Sequence, residues 1–211
     1  STANVLEYMR LHQPKAKLIY PSSAAVYGKK NNDKPIKIND RLDPLSPYGF
    51  HKKMAEDLCL SYSKNFDISV TIIRFFSIYG PGLQKQLLWD SCNKFFSKEG
   101  RVEFFGTGDE TRDWIQVSDA ASLIYFMAQS GKKYTIVNGG YGKAVTIKEI
   151  TTSLAAFFGN NIEIDFNRQS REGDPKHYWA DISCAKEFGW QPLINIGDGL
   201  AEYANWYKKQ Q

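Results

Sequence analysis

No apolar run in this 211-residue chain approaches the ~20 residues that a membrane-spanning helix needs. The start carries no signal-peptide core either. Cysteine is scarce: Cys59, Cys92 and Cys184 are odd in number and far apart. They are not a disulfide framework, and they read as buried or free thiols in a reducing, cytoplasmic setting. Three histidines, His12, His51 and His177, are too dispersed for a metal cluster, so no metal site is expected. Charge of one sign is never concentrated. The net charge is +4 with acidic residues spread throughout, which argues against nucleic-acid or membrane-surface binding. No G-x-G-x-x-G stands anywhere in the chain. Repeats and low-complexity segments are missing too. With 42% hydrophobic and 24% charged residues, the chain can build a sound core as one large domain or two small lobes.

The stretch Ser46-Pro47-Tyr48-Gly49-Phe50-His51-Lys52 carries the first positive signal. Ser46 reads as a helix N-cap with proline at the first helical position. The helix is expected to run through Leu60. Residues four apart share a helix face, so Tyr48 and Lys52 point the same way near a helix start. A nearby cation favours a phenolate over a phenol, which is one way to make tyrosine a usable acid or base.

Ala16 to Tyr20 reads as a short buried strand opening into Pro21-Ser22-Ser23-Ala24-Ala25-Val26-Tyr27-Gly28. Ser69 to Phe76 reads as a second buried parallel strand, ending in Ser77-Ile78-Tyr79-Gly80-Pro81-Gly82. Strand, loop, helix, strand makes a right-handed crossover unit. Ligands of open α/β sheets bind at the carboxyl ends of the strands, where Ser23 stands.

Further along, Lys29 to Asp43 is polar and reads as a surface loop able to shape a pocket mouth. A helix is expected from Gln86 to Ser97 and a strand at Val102 to Phe105. Ser118 is expected to cap a helix to about Gln129, with Ala121, Leu123, Ile124 and Met127 as its apolar face. Asn138-Gly139-Gly140-Tyr141-Gly142 follows an apolar strand, Tyr134 to Val137, and reads as a tight turn. Thr146 to Glu149 is a capping box opening a helix to about Phe158. Ile162 to Phe166 alternates like a half-buried strand. Cys184 to Phe188 and Leu200 to Lys208 read as two more helices.

Four blocks in order carry a resemblance. They are Ser22 to Gly28, Ser46 to Gly49, Arg112-Asp113-Trp114-Ile115-Gln116-Val117-Ser118-Asp119, and Arg171-Glu172-Gly173-Asp174 followed by Tyr178-Trp179-Ala180-Asp181. The chain resembles the extended short-chain dehydrogenase/reductases, and within them the NAD-dependent nucleotide-sugar epimerases and dehydratases. The blocks are most similar to those of UDP-glucose 4-epimerases. The resemblance implies an α/β fold: the C-terminal part of a Rossmann-type doubly wound parallel sheet plus a small α/β substrate-binding lobe. Residues 1–85 would be the remnant of the NAD-binding domain. Residues 86–211 would be mainly the substrate lobe, interleaved with the first and returning some segments to the sheet. The first, Gly-rich half of the dinucleotide fold would be absent, so this chain alone is expected to be inactive.

The resemblance also implies roles. Ser23, Tyr48 and Lys52 would be the catalytic trio. Ser22, Tyr48, Lys52 and Phe75 would meet the NAD. Phe76, Ser77, Leu88, Arg112, Arg171, Asp174 and Tyr178 would meet a nucleotide-diphosphate sugar, with Leu88 against the base and the two arginines on the phosphates. Two departures matter. Ser77 stands where the family usually has asparagine. Ser23-Ala24-Ala25 stands where dehydratases carry Thr-Asp-Glu, so the carboxylates of elimination chemistry are missing. An epimerase is therefore favoured, with a 4-keto reductase, a dehydratase, a non-catalytic sugar-nucleotide module or a split-enzyme half as alternatives. Expected partners are a homo-oligomeric copy or a complementing N-terminal chain.

Overall fold

The computed structural model describes residues 1–30, 33–97, 100–159, 161–169 and 175–211. Its centre is a parallel sheet of three strands in the order β1-β2-β7: β1 is Lys17–Ser23, β2 is Ser69–Phe75 and β7 is Tyr134–Gly139. β1 and β2 are joined through α2 (Pro47–Phe66), the expected crossover unit.

Period-two alternation divides the strand residues between two cores. Leu18, Val70, Ile72 and Ile136 face α1 (Thr2–His12) and α2, where Leu6, Met9 and Cys59 complete one cluster. Ile19, Ile73, Phe75 and Val137 face the other way, against α4 (Val117–Ala128) and α6 (Ser183–Glu187). A sheet covered on both faces needs nearly continuous apolar strands, which Ser69–Phe75 supplies.

A second lobe packs α3 (Gln86–Ser97), α5 (Ile147–Ala155) and α7 (Ile196–Lys208) around Leu88, Phe95, Leu154 and Tyr203. Small strand pairs trim it: β3 (Ser77–Tyr79) with β6 (Trp114–Gln116), β4 (Gly100–Phe104) with β9 (Ile162–Phe166), and β5 (Thr111–Arg112) with β8 (Val145–Thr146). The Thr146 capping box is formed in both directions.

Three local expectations are corrected. Gln116, not Ser118, caps α4, because the buried strand β6 runs straight into the helix and leaves no room for a linker. The buried stripe of α4 is Asp119, Ala120, Leu123 and Met127, while Ala121 and Ile124 are exposed. A hydrophobic pattern cannot rank Asp119, whose carboxylate is buried because it accepts the Leu193 and Ile194 backbone N–H groups. The loop of residues 29–43 is also not wholly a surface feature. Ile36 is fully buried, and it exchanges backbone hydrogen bonds with Trp179 and Asp181.

Candidate active site

β1 ends at Ser23, and the chain turns at once into a single 3-10 turn, Ala24–Tyr27. Ser23 caps it, its hydroxyl oxygen accepting the Ala25 N–H at 3.2 Å. Ser46 caps α2 through the Gly49 N–H at 3.1 Å, and Pro47 opens the helix. Gly49 brings the two starts together. A Cβ there would lie 2.7 Å from the Ala25 carbonyl oxygen, so only glycine lets the first turn of α2 rest on the turn after Ser23.

This packing sets Tyr48 at the mouth of α2, 55% exposed. Lys52, one turn on, donates to the Pro21 carbonyl oxygen at 2.7 Å and lies 5.7 Å from the centre of the Tyr48 ring. Ser23, Tyr48, Lys52, Phe75, Phe76 and Ser77 all line one open cleft of about 850 Å³ at the carboxyl end of the sheet.

Ser77 also lines two neighbouring hollows. One, of about 400 Å³, holds Ser23, Phe76, Arg112 and Tyr178. The other, of about 950 Å³, is walled by Leu87, Phe104, Phe105 and Trp114, with Arg112, Gln169 and Lys176 at its polar edge. Arg112 thus borders both. Its Nη1 donates to the Thr111 and Pro175 carbonyl oxygens at 2.9 and 2.7 Å, which aims the guanidinium by fixing one arm. The Tyr178 hydroxyl donates to the Ala24 carbonyl oxygen, and its ring packs 5.6 Å from Phe76. Burial holds the Tyr178 phenol above the usual tyrosine range.

Two residues read as ligand contacts do other work. Leu88 is 1% exposed and belongs to the second lobe's core. One residue of helix rotation separates it from Leu87, which faces the hollow. Ser22 borders the cleft, while its hydroxyl donates inward to Glu56 at 2.5 Å. Arg171 and Asp174 lie outside the described residues.

Other residues frame the site unannounced. Asp113 is fully buried, and its carboxylate accepts the Tyr141, Gly142 and Ala180 N–H groups at 2.6, 2.9 and 3.0 Å. Burial pushes it up to about 6, although the three N–H groups pull the other way. The Tyr141 and Gly142 amides of the 139–142 turn are thus spent on Asp113. Glu56 and Arg74 form a buried ion pair at 2.7 Å. The sequence signal for both was a charge on an otherwise apolar face, which composition alone does not separate from a solvated one.

Residues 1–140 match the model of the NAD dependent epimerase/dehydratase family. The chain belongs to this family. It is 31% identical over 211 residues to a putative UDP-glucose 4-epimerase of Methanocaldococcus jannaschii, covering 98% of this chain and 68% of that protein. It is 32% identical over 212 residues to the UDP-glucuronate 4-epimerase of Thermodesulfobacterium geofontis, covering 99% of this chain and 64% of that one. Among solved structures, the UDP-glucuronic acid 4-epimerase of Bacillus cereus, in complex with UDP-glucuronic acid and NAD, superposes with a TM-score of 0.89 at 29% identity. That match covers 100% of this chain and 67% of the other. The chain therefore spans about two thirds of the length of these relatives. The fold is the α/β, Rossmann-type arrangement of these family enzymes, whose cofactor is NAD.

Proposed function

We propose that this chain is the catalytic and substrate-binding portion of an NAD-dependent nucleotide-sugar 4-epimerase acting on a UDP-hexose. One observation carries the reading. Ser23, Tyr48 and Lys52 line a single cleft that runs through Ser77 into the hollows bordered by Arg112.

The side chains that border the cleft fit the nicotinamide end of the cofactor: a cation at Lys52, an aromatic at Phe75 and the exposed Tyr48 phenol. The cradle for the pyrophosphate is a glycine-rich turn that this sequence does not contain. Bound NAD would remove hydride from C4 of the sugar and return it. Tyr48 takes the proton of the C4 hydroxyl through its phenolic oxygen and later gives it back. Ser23 holds the same oxygen with its hydroxyl, and Lys52 offsets the negative charge that the phenolic oxygen carries before it takes the proton. Arg112 faces the diphosphate with its guanidinium charge. Leu87, Phe104 and Phe105 receive the flat face of the base, the part first assigned to Leu88. Phe76 and Tyr178 close over the sugar.

Among the described residues that line the catalytic cleft there is no Asp or Glu. That supports epimerisation over dehydration, which needs a carboxyl acid and base near the sugar.

We further propose a cytoplasmic protein that does not act as a lone chain. β1 is an edge of the described sheet, and a complementing half could pair with it. α1 and α2 expose Val5, Tyr8, Phe50 and Met54, a surface suited to a second copy.

The test is calorimetric titration with UDP-glucose and NAD separately, followed by an epimerisation assay with both in the presence of a complementing chain that supplies the glycine-rich half. UDP-glucose binding abolished by Arg112→Ala supports the reading. Absence of UDP-glucose binding to the folded protein sinks it.

A further inference from the structure

Glu56 follows Tyr48 and Lys52 on the same face of α2, two turns and one turn further along. It lines no part of the cleft and is 3% exposed. Its carboxylate is wholly engaged in the interior. Oε1 accepts the Ser22 hydroxyl at 2.5 Å and Arg74 Nε at 3.1 Å, and Oε2 accepts Arg74 Nη2 at 2.7 Å.

Ser22 and Arg74 stand opposite each other in the β1–β2 register. One turn back along α2, Lys52 holds the Pro21 carbonyl. The helix therefore grips two successive residues of β1, Pro21 by its carbonyl and Ser22 by its hydroxyl, and the next residue is Ser23. Arg74 extends the hold, its Nη1 donating to Tyr27 Oη at 3.0 Å and to the Ile38 carbonyl at 2.9 Å. Tyr27 closes the turn that Ser23 opens.

A buried ion pair is a costly way to fill space, since apolar side chains of similar volume often serve stability as well. What the pair offers is direction: six fixed hydrogen bonds where a Leu would allow sliding. We propose that Glu56 is a positioning residue, which sets Ser23 against Tyr48 through Ser22 and Arg74 without touching substrate. The proposal rests on the epimerase reading above.

The test compares wild type, Ser22→Ala, Ser22→Thr and Glu56→Gln. Ser22→Ala removes one hydrogen bond and leaves the ion pair, so it avoids the unpaired Arg74 charge that could stop Glu56→Gln from folding. In the epimerisation assay, kcat of Ser22→Ala should fall roughly 10- to 100-fold, as expected for a slightly misplaced catalytic group. Its KM should stay within about twofold because Arg112 and Phe105 are untouched. Ser22→Thr keeps the hydroxyl and should restore kcat. Glu56→Gln, where it folds, should repeat the kcat loss.

Crystal structures of wild type and Ser22→Ala supply a readout free of activity. The Ser23 Oγ to Tyr48 Oη separation should change by about 0.5 Å or more. Unchanged kcat in Ser22→Ala, or a loss that Ser22→Thr does not restore, overturns the proposal. Should wild type, with the complementing glycine-rich half supplied, turn over no UDP-hexose, the epimerase reading fails, and the crystallographic separation alone decides whether Glu56 positions the pair.

Discussion

The Lys52 ammonium stands 5.7 Å from the centre of the Tyr48 ring, one helical turn away, and both side chains border the same cleft. Lys52 is held there by its bond to the Pro21 carbonyl, so the charge is delivered to a defined place beside the phenol. Tyr48→Phe keeps the ring and removes the oxygen. Turnover should fall by roughly 10²–10⁴-fold, with the unfolding midpoint unchanged because the hydroxyl is at the surface. Epimerisation kinetics and thermal unfolding on the same preparation check this. Normal turnover in Tyr48→Phe would remove the tyrosine from the mechanism.

The Glu56–Arg74 pair makes a contrasting prediction for stability. Glu56→Ala leaves a buried guanidinium without its partner and should cost about 3–5 kcal/mol. Replacing both, Glu56→Leu with Arg74→Met, should cost far less. Urea unfolding of the two variants measures the difference. Equal losses would mean that the pair is not the buried unit described above.

Asp113 gives stability a particular pH dependence. Burial raises its folded value from the ordinary 3.8 to about 6. Between those values the folded protein keeps a proton that the unfolded chain releases. The stability linked to Asp113 is therefore fully present below about pH 4 and is lost as pH rises through about 6. Glu149 acts in the opposite sense. The Thr146 N–H and hydroxyl hold it below its ordinary value, so its contribution is lost only as pH falls below the usual carboxylate range. From about pH 4 to 6, the thermal stability of wild type should weaken relative to Asp113→Asn, and the gap should then level off. A pH-independent gap between the two would contradict the assignment.

Ser77 borders all three hollows, where family members usually carry asparagine. Ser77→Asn adds a longer donor and acceptor and should tighten UDP-glucose binding about 2- to 10-fold, the worth of one hydrogen bond. Leu88→Ala should leave that affinity unchanged while costing about 2–5 kcal/mol of stability, as a core cavity does. Calorimetry and urea unfolding separate the two roles.

Phe50 and Met54 are exposed on consecutive turns of α2. If they meet a second copy, Met54→Glu should shift light scattering from an associated species to a monomer. A monodisperse monomer in the wild type would remove this surface from consideration.

Much of the molecule could be read from the chain. The Ser46-Pro47 start of α2, the Thr146 capping box and the continuous apolar run of β2 are local signals, and each element begins where it was expected, although α2 runs on to Phe66 and α5 stops at Ala155. The α4 cap was misplaced because Gln116 is an unusual capping residue, recognised only by its bond to the Ser118 N–H. Leu88 was misassigned because helix phase decides which of two adjacent leucines faces a hollow, and that phase comes from packing against α5 and α7.

The sequence by itself determined the element order, the family blocks and the spacing that puts Tyr48 and Lys52 on one helix face, because these depend on neighbours in the chain. Only the tertiary structure decided that the Ser22 hydroxyl engages Glu56, and that Asp113 takes the amides of a glycine turn. It also decided that Ser77 joins the trio's cleft to Arg112. Those relationships connect residues from 28 to 67 positions apart, and they depend on which buried polar group finds a partner when the layers close. Burial makes each such partner obligatory, and no local pattern encodes the choice.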